Sequence, residues 1–328
     1  MKKDKLVVLS LFDGMSGGQI ALDKLGFSVQ KGNLEYYASE IKPYAIQVVQ
    51  ENYPKTTQVG DITKLEYKNG ILDNMENSWK IGEVDLFIGG SPCQNFSVAC
   101  IPNKRLGLEG DKSSLFYEYL RLMNEVKPKY FLLENVGSMK KEDQKAISEY
   151  LGVEPIKINS KVVTGQLRNR LYWTNIPQLG EIEEKDIKLA DILEQGYTDR
   201  EKARTLLQSD SRPLTDPLRM FHRYYSTGFL TLVFKDKEHY DRCKEYYDKH
   251  FKGMSAKEID KVRNDVDISI YNGIRLLTRN EREKLQGVPE GYTDNVTENQ
   301  AASLLGDGWT IPVIQHLFQG LVNEYATK

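Results

Sequence analysis

Apolar and polar positions follow two different rhythms along the first half of the chain. VVLSLF (7–12) is a short apolar run that breaks at a glycine-rich turn, Gly14 to Gly18, and predicts a strand. In GQIALDKLGF (18–27), Ile20, Leu22 and Leu25 take helical spacing, and Gly26 supplies a stop. LEYYASE (34–40) predicts a second strand, and 43–52 a helix that opens on Pro43, a favoured first-turn residue. VDLFIGG (84–90) reads as a buried strand. SLFYEYLRLMNEV (114–126) puts Leu115, Phe116, Tyr119, Leu122, Met123 and Val126 on one helical face, with Pro128 beyond its end. YFLLEN (130–135) is a further apolar strand. Strands and helices alternating at this length predict an α/β fold, a doubly wound, mostly parallel sheet covered on both faces.

The rhythm loosens after Pro177. Residues 178–297 are richer in charge and tyrosine, and the polar stretch 235–265 predicts an exposed helix. AASLLGDGWTIPVIQHLFQGL (301–321) turns apolar again and predicts a helix that returns to the first domain. The expected organisation is a main domain of 1–177 plus 298–328 and a smaller domain of 178–297.

Composition narrows this only a little. The chain has 328 residues, 40% hydrophobic and 28% charged, which is ordinary for a folded chain with a sizeable core. No run approaches the ~20 apolar residues of a membrane span, so no membrane partner is expected. Lysines precede the first apolar run, but Asp13 and Gly14 cut it too short for a signal peptide. The expected location is therefore cytoplasmic. Three cysteines, Cys93, Cys100 and Cys243, stand without metal-ligand spacing, which argues against a zinc site or a disulfide framework. A net charge of -2 does not advertise nucleic-acid binding. Locally the balance differs: Arg200, Lys202, Arg204, Arg212, Arg219 and Arg223 outnumber Glu201, Asp210 and Asp216.

Four segments carry candidate chemistry. Phe12-Asp13-Gly14-Met15-Ser16-Gly17-Gly18 joins a strand to a helix, where glycines allow close approach and the helix start offers free N–H groups. Glu40 ends the next strand at the position of a ribose-hydroxyl partner, a pattern that suits NAD, FAD or S-adenosylmethionine equally. Gly89-Gly90-Ser91-Pro92-Cys93-Gln94 sets a cysteine just past a strand end, where ligands bind in open α/β sheets. A lone cysteine is usually a small buried hydrophobe. Glu134 in Leu132-Leu133-Glu134-Asn135-Val136, however, ends the following strand, and in a parallel sheet both ends open to one edge. Finally, Gln166-Leu167-Arg168-Asn169-Arg170 spaces two arginines by two, on one face if extended.

FDGMSGG, GGSPCQ, LLENV and QLRNRLYW stand in the order and approximate spacing of the cytosine-5 DNA methyltransferases, and the chain resembles that family. The likeness covers about 1–177, continues faintly at ARTLLQS (203–209) and returns over 274–318. LGLEGDKSSLFYEYLRLM and LLGDGWTIPVIQHLF are most similar to the de novo branch, in a pattern that a compact bacterial or phage member could share. GDGW stands where many bacterial members carry Gly-Asn-Ser.

The resemblance implies a Rossmann-like, S-adenosylmethionine-dependent methyltransferase fold with a smaller target-recognition domain. It implies transfer of a methyl group from S-adenosylmethionine, leaving S-adenosylhomocysteine, to C5 of a flipped-out cytosine in double-stranded DNA. No metal is implied. Cys93 matches the nucleophile that adds to C6, Glu134 the acid at N3 and the exocyclic amine, Arg170 the arginine that steadies both, and Arg168 its helper. For the cofactor, Phe12 matches the adenine stack, and Asp13, Gly14, Ser16 and Gly17 the methionine end. Glu40 matches the ribose acceptor, Asp61 the acid at the adenine amine, and Ile41 and Ile62 its apolar walls. Gly90 and Pro92, beside the nucleophile, and Trp309, which closes the methionine side, complete the set. Residues 94–112 match a mobile loop over the base, with Gly107 and Gly110 as hinges and Lys104 and Arg105 towards phosphate. Readers of DNA sequence are expected within about 205–272. An RNA cytosine-5 methyltransferase and a non-catalytic accessory of the same fold are the alternatives, and a monomer is the simplest assembly, with a homo-oligomer as the alternative.

Overall fold

A computed structural model describes residues 5–91, 114–208, 216–228, 230–265 and 267–325. Pro92, Cys93, the loop 94–112 and Arg212 lie outside the described residues. Seven strands form the main sheet: β1 (Leu6–Leu11), β2 (Leu34–Ser39), β3 (Thr57–Gln58), β7 (Leu86–Gly90), β8 (Tyr130–Val136), β9 (Ile156–Asn159) and β10 (Asn169–Thr174). A side sheet holds β4 (Glu66–Lys68), β5 (Ile71–Asp73) and β6 (Ser78–Lys80). The main sheet runs in the order β3-β2-β1-β7-β8-β10-β9. β3, β2, β1, β7 and β8 pair in parallel, whereas β10 is antiparallel to both β8 and β9.

Period-two alternation splits the strands between two cores. Leu6 and Val8 of β1, Tyr36 and Ala38 of β2, and Leu86 and Ile88 of β7 face one core. Leu9 and Leu11, Tyr37, and Phe87 face the other. Helices α1 (Gly17–Lys24), α2 (Pro43–Asn52), α8 (Arg279–Gln286), α9 (Glu298–Asp307) and α10 (Ile311–Tyr325) cover the first. Helices α3 (Ser114–Val126) and α4 (Lys141–Leu151) cover the second. The layering is the doubly wound α/β arrangement that the hydrophobic pattern predicts.

Two expectations need revision. The stretch 235–265 is not a uniformly exposed helix. It forms α6 (Lys237–His250) and α7 (Ala256–Val262), following α5 (Pro217–Thr227). Tyr240, Cys243, Tyr247, Phe251 and Ile259 are buried with Phe221 and Tyr271 in a third core. Its apolar stripe is thin, and tyrosines carry it, so the many charges on the other faces hide it in the sequence. The returning segment is two helices rather than one: α9 stops at Asp307, and α10 begins only at Ile311. Leu277, Leu285, Val288, Tyr292 and Val296 pack into the first core rather than the third. Among the described residues no helix is long and apolar enough to cross a membrane.

Close packing of α10 on the sheet's flank sets up a test. A Cβ added at Gly320 would stand 2.1 Å from the carbonyl oxygen of Pro177, a backbone atom that cannot step aside cheaply. Alanine gains about 1 kcal/mol over glycine in a helix interior. Overpacking against backbone costs about 1–3 kcal/mol and should win. Gly320→Ala is expected to lower stability in urea unfolding; a stabilised variant would show that the clash is relieved for free.

Candidate active site

The sheet order reverses between β1 and β7, so a crevice opens beyond their C-terminal ends. A cavity of about 270 Å³ occupies it, near the lower end of the ~300–1,000 Å³ typical of small-molecule sites. Four strand ends contribute: the turn after β1, Ser39 of β2 with Glu40 to Lys42 beyond it, Gly90 of β7 with Ser91 beyond it, and Glu134 and Val136 of β8. Asp61 and Ile62, the loop Gly306 to Trp309 and Arg170 close the walls.

The turn after β1 is strained and tightly held. Phe12, Gly14 and Ser16 all take positive φ, of 55°, 57° and 56°, which is costly for the two with side chains. The half-buried Asp13 carboxylate compensates. It accepts hydrogen bonds from Ser10 Oγ at 2.6 Å, from Tyr36 Oη at 2.8 Å and from Ser16 Oγ. Glu40 supports the same turn: Oε2 accepts from Gly14 N at 2.8 Å, and Oε1 from Ile41 N and Lys42 N. A carboxylate can accept about four hydrogen bonds, so Oε2 can still take a ligand hydroxyl. Asp61 Oδ1 caps the backbone N–H of Thr63, at 2.9 Å. Ile41 is 67% exposed at the rim, an apolar surface fit for a flat ring, while Ile62 is buried in the wall.

Strand register sets the reactive end. Gly90 pairs with Glu134 across β7 and β8. A Cβ on Gly90 would stand 3.0 Å from Trp309 Nε1 and 3.2 Å from Glu134 Oε2, so glycine is what lets the indole and the carboxylate share this space. Because β10 runs backwards, its first residues arrive at the edge where β8 ends. Arg170 Nε meets Glu134 Oε1 at 2.7 Å, with both side chains nearly buried. Asn135 is fully buried and donates to Ser91 Oγ at 3.1 Å, which fixes the residue that leads into Pro92 and Cys93.

Arg168 does not join Arg170. It precedes β10, is 1% exposed, and its Nη2 donates to the carbonyls of Gly306 at 3.0 Å and Gly308 at 2.8 Å. The expected helper at the base is therefore placed as a clamp on the loop that carries Trp309. The neighbouring Gln166 and Gln286 extend this clamp: Gln166 Nε2 donates to Gln286 Oε1 at 3.0 Å, and Gln286 Nε2 to Leu305 O at 2.5 Å. Thr310 Oγ1 also donates to Gln286 Oε1, at 2.9 Å.

Of the residues singled out in the sequence, Phe12, Asp13, Gly14, Gly17, Glu40, Ile41, Asp61, Ile62, Gly90, Glu134, Arg170 and Trp309 line this one cavity. Ser16 sits behind it, on Asp13. Sequence reasoning missed Tyr36, Asn135, Gln166 and Gln286. Asn135 had a signal, being the polar neighbour of Glu134 in an apolar strand; the others depend on contacts between distant segments.

Residues 6–153 match the family described as C-5 cytosine-specific DNA methylase. The chain is 26% identical over 342 residues to Type II methyltransferase M1.ScrFI of Lactococcus lactis subsp. cremoris, across 98% of this chain and 79% of that protein. It is 33% identical over 207 residues to Orphan methyltransferase M.SPRI of Bacillus phage SPR, across 58% of this chain and 43% of the relative. Among solved structures, Entamoeba histolytica methyltransferase EhMeth shares the fold, with a TM-score of 0.65, 16% identity and coverage of 99% of this chain and 100% of that one.

Two predictions follow from the polar groups that hold the site's walls. Hydrogen bonds from a charged donor contribute about 1.5–3 kcal/mol each. Arg168→Ala is expected to cost roughly 3 kcal/mol or more in urea unfolding; an unchanged midpoint would mean the Gly306–Gly308 loop does not need its clamp. Burial raises the Asp13 carboxyl from 3.8 to about 6. Between these values the folded state holds a proton that the unfolded chain has released, so stability falls as pH rises through this window. The loss is up to roughly 3 kcal/mol at 1.36 kcal/mol per unit. Asp13→Asn should flatten that part of the stability–pH curve, and identical curves for both proteins would refute the assignment.

Proposed function

This chain belongs to the C-5 cytosine-specific DNA methylase family, and on that premise we propose that it methylates C5 of a cytosine flipped out of double-stranded DNA, with S-adenosylmethionine as donor. The observation that carries the reading is the Glu134–Arg170 pair, set in the same cavity as the glycine-rich turn. A nucleotide-binding turn alone would serve many cofactors. A buried carboxylate held by arginine, next to the segment that leads to a cysteine, suits addition to a pyrimidine.

The cavity fits the cofactor's chemistry. It offers an apolar rim at Ile41 and Phe12 for a purine, a spare acceptor on Glu40 for ribose hydroxyls, and the Asp61 carboxylate for an exocyclic amine. Trp309 and the turn around Gly14 and Gly17 would hold the amino-acid end. When bound, S-adenosylmethionine supplies an electrophilic methyl group.

The chain's residues prepare the acceptor. Pulling the target base from the stack costs a few kcal/mol, and it exposes both ring faces to the site. Arg170 keeps Glu134 oriented towards N3 and the exocyclic amine, where a hydrogen bond or proton draws electrons from the ring. The Cys93 thiolate adds to C6, the C5–C6 π pair becomes enamine-like at C5, and C5 takes the methyl group. Loss of the C5 proton to a base then returns an electron pair to the ring and expels the thiolate. Asn135 acts upstream by fixing Ser91, the anchor of the cysteine segment.

The decisive experiment is incubation with unmethylated DNA and S-adenosylmethionine, followed by base-resolution mapping of 5-methylcytosine. Methylation at one short motif is expected. Cys93→Ala should lower it by ~10⁴ or more, with cofactor affinity kept. Intact protein that binds cofactor and DNA but methylates only RNA, or nothing, would overturn the proposal.

A further inference from the structure

The structure sorts the basic residues that the sequence only counts. Arg219 is paired with Asp260 and stands near Asp216, and Arg263 is paired with Asp216. Lys202 Nζ is consumed by three carbonyls, those of Lys161, Thr164 and Ile187. Their charges are already answered within the fold. Arg200 and Arg204 differ: neither forms an ion pair with a carboxylate among the described residues. Arg200 lies over the Tyr224 ring at 4.5 Å and donates Nη2 to the Tyr224 carbonyl at 3.1 Å, so its direction is fixed. Arg204 is anchored through its backbone N–H, which donates to Thr231 Oγ1 at 2.9 Å. The Nε atoms of both are buried without a hydrogen-bond partner among the described residues.

The two guanidinium groups converge. A Cβ built on Gly228, at the end of α5, would stand 3.3 Å from Arg204 Nη2 and 3.7 Å from Arg200 Nη1 and Nη2. Like charges held this close repel unless an anion lies between or beside them. Both line an open cleft of about 770 Å³, whose acidic lining residues, Glu184, Asp186 and Glu201, are exposed to solvent. The cleft also touches the active site through the chain. Leu167 lines it and donates its N–H to Ala203 O at 2.8 Å, and three residues further on Arg170 meets Glu134. Three residues span at most roughly 10 Å, which is within the reach of a few base pairs of bound duplex.

We propose that Arg200 and Arg204 together seat a backbone phosphate of the bound DNA, close to the flipped base. The inference rests on the reading of DNA as substrate and adds the residues that grip its backbone. Guanidinium forks match phosphate oxygens, and Arg200, held on Tyr224, loses little freedom on binding. Such a contact positions the duplex without reading its sequence.

The test is duplex binding across a range of salt concentrations by the intact chain and by Arg204→Gln, Arg204→Ala and Arg200→Lys. Arg219→Ala serves as the contrast. Arg204→Gln is the primary variant, since among the described residues no hydrogen bond of the Arg204 side chain holds the fold together. Arg204 variants should bind DNA roughly 5- to 20-fold more weakly near physiological salt. The loss should be equal for target and unrelated sequences, and the log–log salt slope should fall by about one. S-adenosylmethionine affinity and the melting profile should stay as in the intact chain. Arg219→Ala should leave the salt slope alone. Folded Arg204 variants that keep the full slope and affinity would overturn the phosphate seat, and so would a loss confined to RNA binding. Failure of the intact chain to bind DNA would instead remove the reading beneath it, so the two failures are distinguishable.

Discussion

Strand direction at one edge of the sheet governs the whole site. β1, β2, β7 and β8 run parallel, so their C-terminal ends open together and carry the glycine turn, Glu40, Gly90 and Glu134 to one crevice. A parallel strand in the next position would deliver its last residue there. β10 runs the other way and delivers its beginning, so Arg170 is presented to Glu134 across a 2.7 Å contact. A nearly buried carboxylate needs such a partner, because an uncompensated charge away from water costs several kcal/mol. The pair is thus a condition of placing the acid in the cavity.

Behind that edge, the turn after β1 and the loop that carries Trp309 are organised by networks of polar groups. Asp13 gathers Ser10, Ser16 and Tyr36 and so holds a turn that its own backbone disfavours. Arg168 and Gln286 bind the carbonyls around Gly306 and Gly308, beside Trp309, and Gln166 holds Gln286 from behind. Inside a low-dielectric core, satisfied networks of this kind rigidify what they touch, and each lost member leaves its partners exposed to the full desolvation cost. Preorganised walls leave less ordering to be done when a ligand enters.

The third core is built on a different principle. Aromatic residues supply most of it, with Phe221 touching Tyr224, Tyr225, Phe234, Tyr247 and Tyr271. Large rings bury much area per residue, so a few of them can support a highly charged surface. That surface explains how a chain of net charge -2 can still present cations locally. Many of its charges answer one another, as Arg219 and Arg263 do with Asp216 and Asp260, and the few that do not are placed by the fold.

The sequence by itself determined four strands of the main sheet, β1, β2, β7 and β8, and many of the cavity's residues. β1 with its turn, β7 up to Gly90 and β8 up to Glu134 are marked by local periodicity, and a parallel sheet sends all such strand ends to one edge. The cofactor type stayed open on those residues alone, and the resemblance carried by FDGMSGG, GGSPCQ and LLENV narrowed it. Only the tertiary structure decided which arginine lines the cavity. Arg168 and Arg170 look equivalent two residues apart, yet one is drawn to the carbonyls of a loop nearly 140 positions later and the other to Glu134. It also decided that the polar run 235–265 hides a core, and that Tyr36 holds Asp13. Hydrophobic periodicity is a property of neighbours in the chain. Hydrogen-bond partners and ion pairs are set by segments that meet only once the layers have packed.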